Sequence, residues 1–201
     1  MGLRLSRSGR PSPEVAPPTL EESDRLVASY RWLERRRFEL LGGWVSLTTE
    51  LEVKLAFARH ARHHAWHASL WEEHLPHRSG YEAPADPRPA DRGLTVCIEA
   101  LAEGEGPEAT VERLVGAYRV LAARAETDYT ALLARASPVS DAALARTGRV
   151  VLADQLHDRR EGEAMLRALL EDSDRVERAA AIQARLEKLA MASSRGLDPI
   201  S

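Results

Sequence analysis

Histidines form the most conspicuous chemical pattern of this sequence. Five of its seven histidines lie between His60 and His74. His60, His64 and His67 follow one another at steps of four and three residues, which places their side chains on one face of a helix. Imidazoles one helical turn apart can bind the same metal ion. The alternative is a buried polar layer in which the imidazoles are hydrogen-bonded to neighbouring carboxylates.

Apolar residues continue the same helical face in both directions. Phe57 precedes His60 at helical spacing, and Trp71 follows His67. A face that is apolar at both ends packs on the core, so we expect the histidines between these ends to be buried. His63 lies one position round the helix and is close enough to contribute to the same site.

Carboxylates at corresponding positions of two hairpins are candidate partners for these histidines. If the first hairpin turns near residue 45, Glu34 lies one helical turn from His60. If the second hairpin turns between residues 138 and 139, Glu126 lies opposite residue 151, about one helical turn before Asp154. His157 follows Asp154 three residues later. In each hairpin a glutamate is thus followed, 26 or 28 residues later, by His60 or Asp154 and then by another histidine.

This repeated pattern favours a metal centre over a polar layer without metal. We therefore predict that the metal ligands are Glu34, His60, His63, His64, Glu126, Asp154 and His157. The choice among His63, His64 and His67 on the second helix stays open. Three tyrosines are candidates for hydrogen bonds to the ligands, namely Tyr30, Tyr118 and Tyr129.

Four long helices and two shorter ones are predicted to position these residues. Start and stop signals place them at 20–43, 46–75, 94–102, 107–136, 141–171 and 174–192. The pair Gly42-Gly43 is expected to end the first helix, and Thr49 with Glu52 suits a capping box at the start of the second. Prolines and glycines between residues 76 and 93 predict a long connection. A tight hairpin, a long crossover and a second tight hairpin are typical of a ferritin-like four-helix bundle.

The composition is that of one globular domain. Hydrophobic residues make up 44% and charged residues 29%, and the net charge of -3 gives no general attraction to nucleic acid. Cys97 is the only cysteine, and no apolar run approaches the roughly 20 residues of a membrane span. These features predict an all-α cytoplasmic protein with a flexible arm over 1–19, a helical bundle over 20–193 and a tail over 194–201.

The ligand pattern resembles that of the ferritin-like superfamily of carboxylate-bridged di-iron proteins. In that family two helices each supply a glutamate, and the other two each supply a Glu-x-x-His motif. Glu34 and Glu126 match the single glutamates. The motif positions read His60-Ala-Arg-His63, with His64 as the alternative histidine, and Asp154-Gln-Leu-His157, so that neither motif is intact. The stretch Arg-His-His-Ala-Trp-His at 62–67 also resembles bacterial ferritin-like proteins.

The resemblance implies a cofactor of one or two iron ions, or another divalent metal, and an O2-dependent oxidase or hydroxylase. Its substrate would be a small molecule, or a tRNA base as in one branch of the superfamily. The alternative hypothesis is a non-catalytic helical interaction module with a degenerate metal site. For that module, a long last helix and the apolar corner at Trp44-Val45 would suit a homodimer. The run Arg35-Arg36-Arg37 is interpreted as a solvated face rather than as a contact for an anionic substrate.

Overall fold

The computed structural model describes residues 19–76, 87–89, 92–103 and 109–191, and every regular element in these ranges is helical. We number six helices in chain order: α1 (Leu20–Leu47), α2 (Leu51–Glu72), α3 (Arg92–Ala102), α4, α5 (Ala142–Leu169) and α6 (Ser173–Met191). The helix α4 is one continuous run of Thr110–Leu114, a π-helical segment Val115–Leu121, and Ala122–Arg135. The predicted all-α class is confirmed.

Three predicted segments lie wholly or mainly outside the described residues. They are the N-terminal arm apart from Thr19, most of the connection between α2 and α3, and the C-terminal tail. Within the described ranges, none of the helices combines the length and the apolar composition that a membrane span requires.

The start of α1 at Leu20 is as predicted, and a capping box closes it. The Thr19 hydroxyl accepts a hydrogen bond from the backbone N–H of Glu22 at 3.2 Å. In return, the backbone N–H of Thr19 donates to the Glu22 carboxylate at 2.7 Å. Both contacts satisfy N–H groups that have no partner inside the helix.

The predicted end of α1 at Gly42-Gly43 is wrong, because the helix continues to Leu47. A glycine inside a helix costs only about 1 kcal/mol relative to alanine. The added turn buries Trp44, whose ring lies 5.4 Å from that of Phe57. Burying the large Trp44 side chain offsets the cost of the two helical glycines.

The predicted capping box at the start of α2 is also wrong. The helix begins at Leu51, and its N-cap residue Glu50 makes no capping bond with its side chain. The Thr49 hydroxyl instead donates to the Glu50 carboxylate at 3.1 Å. The same carboxylate accepts a hydrogen bond from Thr110 at 2.7 Å and so ties this corner to the start of α4.

Contacts between residues far apart in sequence give the directions of the long helices. Trp44 packs on Phe57 and Tyr30 packs on Trp71, so α1 and α2 are antiparallel. The helices α2 and α5 are antiparallel by the contacts His60–Glu161 and His74–Thr147. The helices α4 and α5 are antiparallel by Arg119–Glu163 and Glu126–Arg159. The helices α1 and α4 are antiparallel by Arg37–Leu121 and Tyr30–Asp128. It follows that α4 runs in the same direction as α2.

Two apolar clusters lie at different levels along these four helices. One contains Trp44, Phe57 and Tyr118, and the other contains Trp71 and Tyr129. The buried polar side chains at the level between the two clusters are Glu34, Arg37, His60, His64, His67, Gln155 and Asp158. We call this set the polar layer.

The helices α3 and α6 cover the apolar cluster that contains Trp44. Ile98 and Leu101 of α3 and Leu186 of α6 are buried in that cluster. The two helices also contact each other closely, since a Cβ atom at Gly93 would lie 2.3 Å from the backbone oxygen of Ala190. Glycine is therefore required at this crossing.

Candidate metal centre

The carboxylate of Glu34 lies at the centre of the polar layer and is completely buried. Its Oε1 atom accepts hydrogen bonds from Arg37 Nη1 at 2.9 Å and from the Tyr129 hydroxyl at 2.8 Å. Its Oε2 atom lies 2.6 Å from Nδ1 of His64 and 3.4 Å from Nδ1 of His67. Residues of α1 and α4 thus hold one oxygen, and two imidazoles of α2 approach the other.

Glu34, His64 and His67 form a buried group that could hold a metal ion, and we call it the Glu34 group. One donor atom from each residue can be chosen so that all three lie within 4.8 Å of one another. The donor set is two imidazoles and one carboxylate. This combination leaves coordination positions open on a transition metal and is typical of mononuclear Fe(II) sites.

Burial and hydrogen bonding act in opposite directions on these groups. Burial alone would raise the pKa of Glu34, but His64, His67 and Arg37 outweigh burial and hold the pKa well below its usual range. Burial lowers the pKa of His64 despite the adjacent carboxylate. Burial would also lower the pKa of His67, but its contacts with Glu34 and Asp154 raise it instead. An ionised carboxylate and a neutral His64 are the forms that bind metal, whereas a protonated His67 would release its proton on binding.

The second ring nitrogen of His67 contacts a partly exposed carboxylate. Its Nε2 atom lies 2.9 Å from Oδ2 of Asp154, whose side chain is 34% exposed. Hydrogen bonding of this kind fixes the orientation of an imidazole ligand. Gln155, on the same helix, brings its amide nitrogen to 3.4 Å from Nδ1 of His64.

A second set of imidazoles and carboxylates lies one turn away along α2, and we call it the Asp158 group. Nδ1 of His63 lies 2.9 Å from Oδ2 of Asp158. Nε2 of His60 lies 3.3 Å from Oδ1 of Asp158 and 3.0 Å from Oε2 of Glu161. Burial lowers the pKa of His60, although the carboxylates of Asp158 and Glu161 act to raise it.

Tyr118 fixes the other nitrogen of His60. Its hydroxyl lies 2.7 Å from His60 Nδ1. Tyr118 belongs to the π-helical segment of α4, and its ring packs on Gly162 so closely that a Cβ atom there would lie 2.1 Å from it. Burial, with the charges of Asp158 and Glu161, raises the pKa of Tyr118 well above its usual value. The hydroxyl therefore stays protonated.

A small cavity adjoins both groups. It has about 10 Å³ of room for the centre of a water-sized sphere, and its lining includes His64, Tyr118, Gln155, Asp158 and Arg37. That room is at the lower limit for one water molecule. The Nε atom of Arg37 is buried and has no hydrogen-bond partner among the described residues.

The structure brings five of the seven predicted ligands into the two groups or next to them. Glu34 and His64 belong to the Glu34 group, Asp154 contacts His67 of that group, and His60 and His63 belong to the Asp158 group.

Glu126 and His157 belong to neither group. Glu126 forms an ion pair with Arg159, and His157 is exposed on α5. The turn between α4, which ends at Arg135, and α5, which begins at Ala142, is centred between residues 138 and 139 as predicted. The contacts of Arg119 with Glu163 and of Glu126 with Arg159 nevertheless pair α4 with residues that lie farther along α5 than Asp154.

The sequence leaves the choice among His63, His64 and His67 open and predicts His60 nearest to Glu34, because it places the first hairpin too early. With α1 ending at Leu47 and α2 beginning at Leu51, the turn is centred near residue 49 instead of residue 45. Glu34 therefore lies against His64 and His67 rather than near His60. The spacing of Asp154, Asp158 and Glu161 on α5, which repeats the three- and four-residue steps of the histidines, is the signal that would have found the missing carboxylates.

Two of the three tyrosines predicted to bond to the ligands do contact one of the two groups. Tyr129 and Tyr118 each contact a member of a group, whereas the Tyr30 hydroxyl donates to the backbone oxygen of Asp128 at 3.3 Å. The interpretation of Arg37 as part of a solvated face is wrong, because its guanidinium is buried against Glu34.

Comparison of the chain with family models, with curated proteins and with solved structures gave no match.

Proposed function

We propose that this protein is a ferritin-like four-helix bundle that binds a divalent transition metal, iron in the first place, through Glu34, His64 and His67. The observation that carries the proposal is the burial of two imidazoles and one carboxylate with their donor atoms within 4.8 Å. The directions of the four long helices support the ferritin-like arrangement, since α1 and α2 form one antiparallel pair, α4 and α5 form another, and α4 is parallel to α2.

The chemistry of the donor set fits iron. One carboxylate and two imidazoles suit Fe(II), and the small number of protein ligands leaves positions for other molecules. Fe(II) bound there would supply electrons to O2, which makes an oxidase or hydroxylase of a small molecule the proposed activity. Metal binding and reaction with O2 are separate parts of the proposed function, and each can be tested without the other.

The residues around the Glu34 group perform the tasks that such a site requires. Arg37 and Tyr129 hold Oε1 of Glu34, so that Oε2 is directed at the imidazoles. Asp154 accepts a hydrogen bond from Nε2 of His67 when that nitrogen is protonated. Arg37 also compensates the buried negative charge, which limits the free energy cost of an ionised carboxylate without water.

Metal analysis provides the first test. The purified protein is stripped with a chelator, loaded with Fe(II) without oxygen, desalted and analysed for bound metal. We expect a stoichiometric ion in the wild type, loss of that ion in Glu34→Gln and His67→Gln, and no change in His74→Gln. His74 is a suitable control because it lies just beyond the end of α2 and contacts Thr147. Wild-type protein without stoichiometric iron would end the proposal.

Oxygen provides the second test. On admission of O2 to the loaded wild-type protein, we expect a new near-ultraviolet or visible absorption band that the His67→Gln variant lacks. If iron binds but the optical spectrum does not respond to O2, the metal site stands and the oxidase proposal fails.

A non-catalytic helical module is the second candidate function, and one observation favours it. Both oxygens of Glu34 already have hydrogen-bond partners within the protein, so this carboxylate is satisfied without a metal. In that case Fe(II) would not bind stoichiometrically, and the histidines would serve the packing specificity of the bundle.

A further inference from the structure

Three tyrosines are buried in the part of the chain that the structure describes, and their hydroxyl groups face different acceptors. The Tyr30 hydroxyl donates to a backbone oxygen at 3.3 Å, and the Tyr129 hydroxyl donates to the carboxylate of Glu34 at 2.8 Å. The Tyr118 hydroxyl lies 2.7 Å from Nδ1 of His60. An imidazole nitrogen takes up a proton near neutral pH, whereas a carboxylate is a much weaker base.

The neighbours of His60 determine which of its nitrogens carries the hydrogen. Nε2 lies 3.0 Å from Oε2 of Glu161, which also pairs with Arg59, and 3.3 Å from Oδ1 of Asp158. Because ionised carboxylates only accept hydrogen bonds, Nε2 carries the hydrogen and Nδ1 keeps a free electron pair. Burial lowers the pKa of His60, so the ring is neutral near pH 7. The Tyr118 hydroxyl therefore donates its hydrogen to Nδ1.

Asp158 supplies a negative charge that suits a protonated His60. Its side chain is 5% exposed, and its ion-pair contacts among the described residues are with the imidazoles of His60 and His63. In catalytic triads a buried carboxylate of this kind fixes the tautomer of the imidazole and stabilises the imidazolium that forms. His60 is thus placed to receive and hold a proton from Tyr118.

An ordinary acid–base role does not suit the Tyr118 hydroxyl. Burial, with the charges of Asp158 and Glu161, raises the pKa of Tyr118 well above its usual value, so the phenolate does not form near neutral pH. Loss of an electron changes this, because an oxidised phenol is a far stronger acid than the resting one. Its proton then passes to a base within hydrogen-bond reach. The chemistry that fits this pair is one-electron oxidation.

We propose that Tyr118 is a site of reversible one-electron oxidation, with His60 as the acceptor of its proton. The phenol O–H bond breaks, the proton moves to Nδ1 of His60, and the electron leaves to a one-electron oxidant. The products are a neutral tyrosyl radical and an imidazolium. A one-electron reductant reverses the step by returning the electron while the proton moves back to the phenol oxygen.

Only the source of the oxidant rests on the proposed function. In that function, the oxidant arises when O2 reacts with iron at the Glu34 group. Tyr118 and His64 of that group line the same cavity, so the phenol lies next to the site where the oxidant would form. The oxidation itself can be tested without metal.

The first experiment uses metal-free protein. The chelator-stripped chain, with ring-deuterated tyrosine, is frozen and irradiated with ultraviolet light, which ejects electrons from its aromatic side chains. Electron paramagnetic resonance follows the radicals during stepwise warming. Ring deuteration changes the spectra of tyrosyl radicals and leaves those of tryptophan unchanged. Every sample carries Tyr81→Phe, which removes the tyrosine outside the described residues.

We expect one tyrosyl radical to outlast all others on warming. It should be absent in Tyr118→Phe, retained in Tyr30→Phe, and about 100-fold shorter-lived in His60→Gln, which is the lower end of the effect of a positioned base. Tyr30→Phe is the matched control because it removes the hydroxyl of another buried tyrosine. The proposal is overturned if no tyrosyl radical persists, if the persistent one survives Tyr118→Phe, or if its lifetime is unchanged in His60→Gln.

The position of the proton gives a second readout, which needs no variant of His60. In D2O, a deuteron held on Nδ1 couples magnetically to the radical on Tyr118, and electron–nuclear double resonance detects it. We expect one such exchangeable deuteron. This readout replaces His60→Gln if circular dichroism shows that the variant is unfolded. A Tyr118 radical without a coupled deuteron would mean that His60 does not keep the proton, and the proposal would be wrong.

The last experiment separates this inference from the proposed function. Protein loaded with Fe(II) is mixed with O2 and frozen rapidly, and its spectrum is compared with that of the irradiated metal-free protein. The same radical in both samples supports both proposals. A radical after irradiation but none after O2 supports Tyr118 as the redox site and counts against iron and O2 as its oxidant. An optical response to O2 without a persistent radical in either sample leaves the proposed function intact and overturns the role of Tyr118.

Discussion

Nδ1 of His64 lies 2.6 Å from Oε2 of Glu34, and both side chains are buried where α1 meets α2. The contact joins the carboxylate at the centre of the polar layer to the histidine-rich face of α2. Arg37 approaches the opposite oxygen of the same carboxylate at 2.9 Å. Removal of the Glu34 charge would thus leave a buried guanidinium without its partner.

The Glu34→Gln variant should be strongly destabilised. Breaking a buried ion pair by removing one partner costs about 3–5 kcal/mol, because the other charge stays buried. The free energy of unfolding is measured by urea denaturation of metal-free protein. The matched control is Glu39→Gln, which breaks an exposed pair with Arg36 and should change stability by less than about 1 kcal/mol. Equal effects of the two substitutions would contradict the charge compensation described for the polar layer.

Two glycine-to-alanine substitutions should have opposite effects. In Gly162→Ala the new Cβ atom would lie 2.1 Å from the Tyr118 ring, so we expect a loss of about 1–3 kcal/mol through overpacking. In Gly42→Ala no heavy atom lies within 4 Å of the new Cβ atom, so we expect a gain of about 0.4–1 kcal/mol. Thermal melts of both variants measure the difference. A stabilised Gly162→Ala would show that Tyr118 is not held as described.

Cys97 should be almost unreactive in the folded protein. The residue is fully buried, and burial raises the pKa of its thiol to about 11. With that pKa, only about one thiol in a thousand is a thiolate at pH 8. Ellman's reagent at pH 8 should therefore label the native protein slowly, label the guanidinium-unfolded protein at once, and react faster as the pH rises towards 11. Rapid stoichiometric labelling of native protein would contradict this.

Truncation of Leu186 tests whether α6 is part of the core. Leu186 is fully buried against the cluster that contains Trp44, so Leu186→Ala should cost about 2–5 kcal/mol. Val176 on the same helix is 48% exposed, and Val176→Ala should stay within about 0.5 kcal/mol of the wild type. Chemical denaturation of both variants gives the comparison. If Leu186→Ala is neutral, α6 is only loosely attached.

The sequence predicts the number and class of the helices better than their ends. Thr19 and Glu22 fix the start of α1 because a capping box is a local interaction between residues three apart. The helix end predicted at Gly42-Gly43 is wrong because the cost of a helical glycine is small. The gain from burying Trp44 depends on Phe57, which lies on the next helix. Helix ends that are decided by tertiary contacts cannot be read from local signals.

The difference between local signals and tertiary contacts also explains which site residues could be predicted. The histidine face of α2 follows from spacing within one helix, and its burial was expected correctly. Its partners depend on how far α1 extends, because a first hairpin centred about four residues later than predicted places His64 and His67, and not His60, beside Glu34. On α5 the error is one of helix face, since His157 is exposed and the adjacent Asp158 is buried.

The polar layer also separates the two apolar clusters, and this separation has a thermodynamic consequence. Phe57 and Tyr129 belong to different clusters, so their side chains share no apolar partner. Energetic effects of substitutions add when the sites are independent, and they fail to add within one packed group. Phe57→Leu and Tyr129→Phe should therefore be additive in a double-mutant cycle, whereas Phe57→Leu and Leu41→Ala, in a single cluster, should not. The bundle would then behave as two cores joined by a layer of charges and imidazoles.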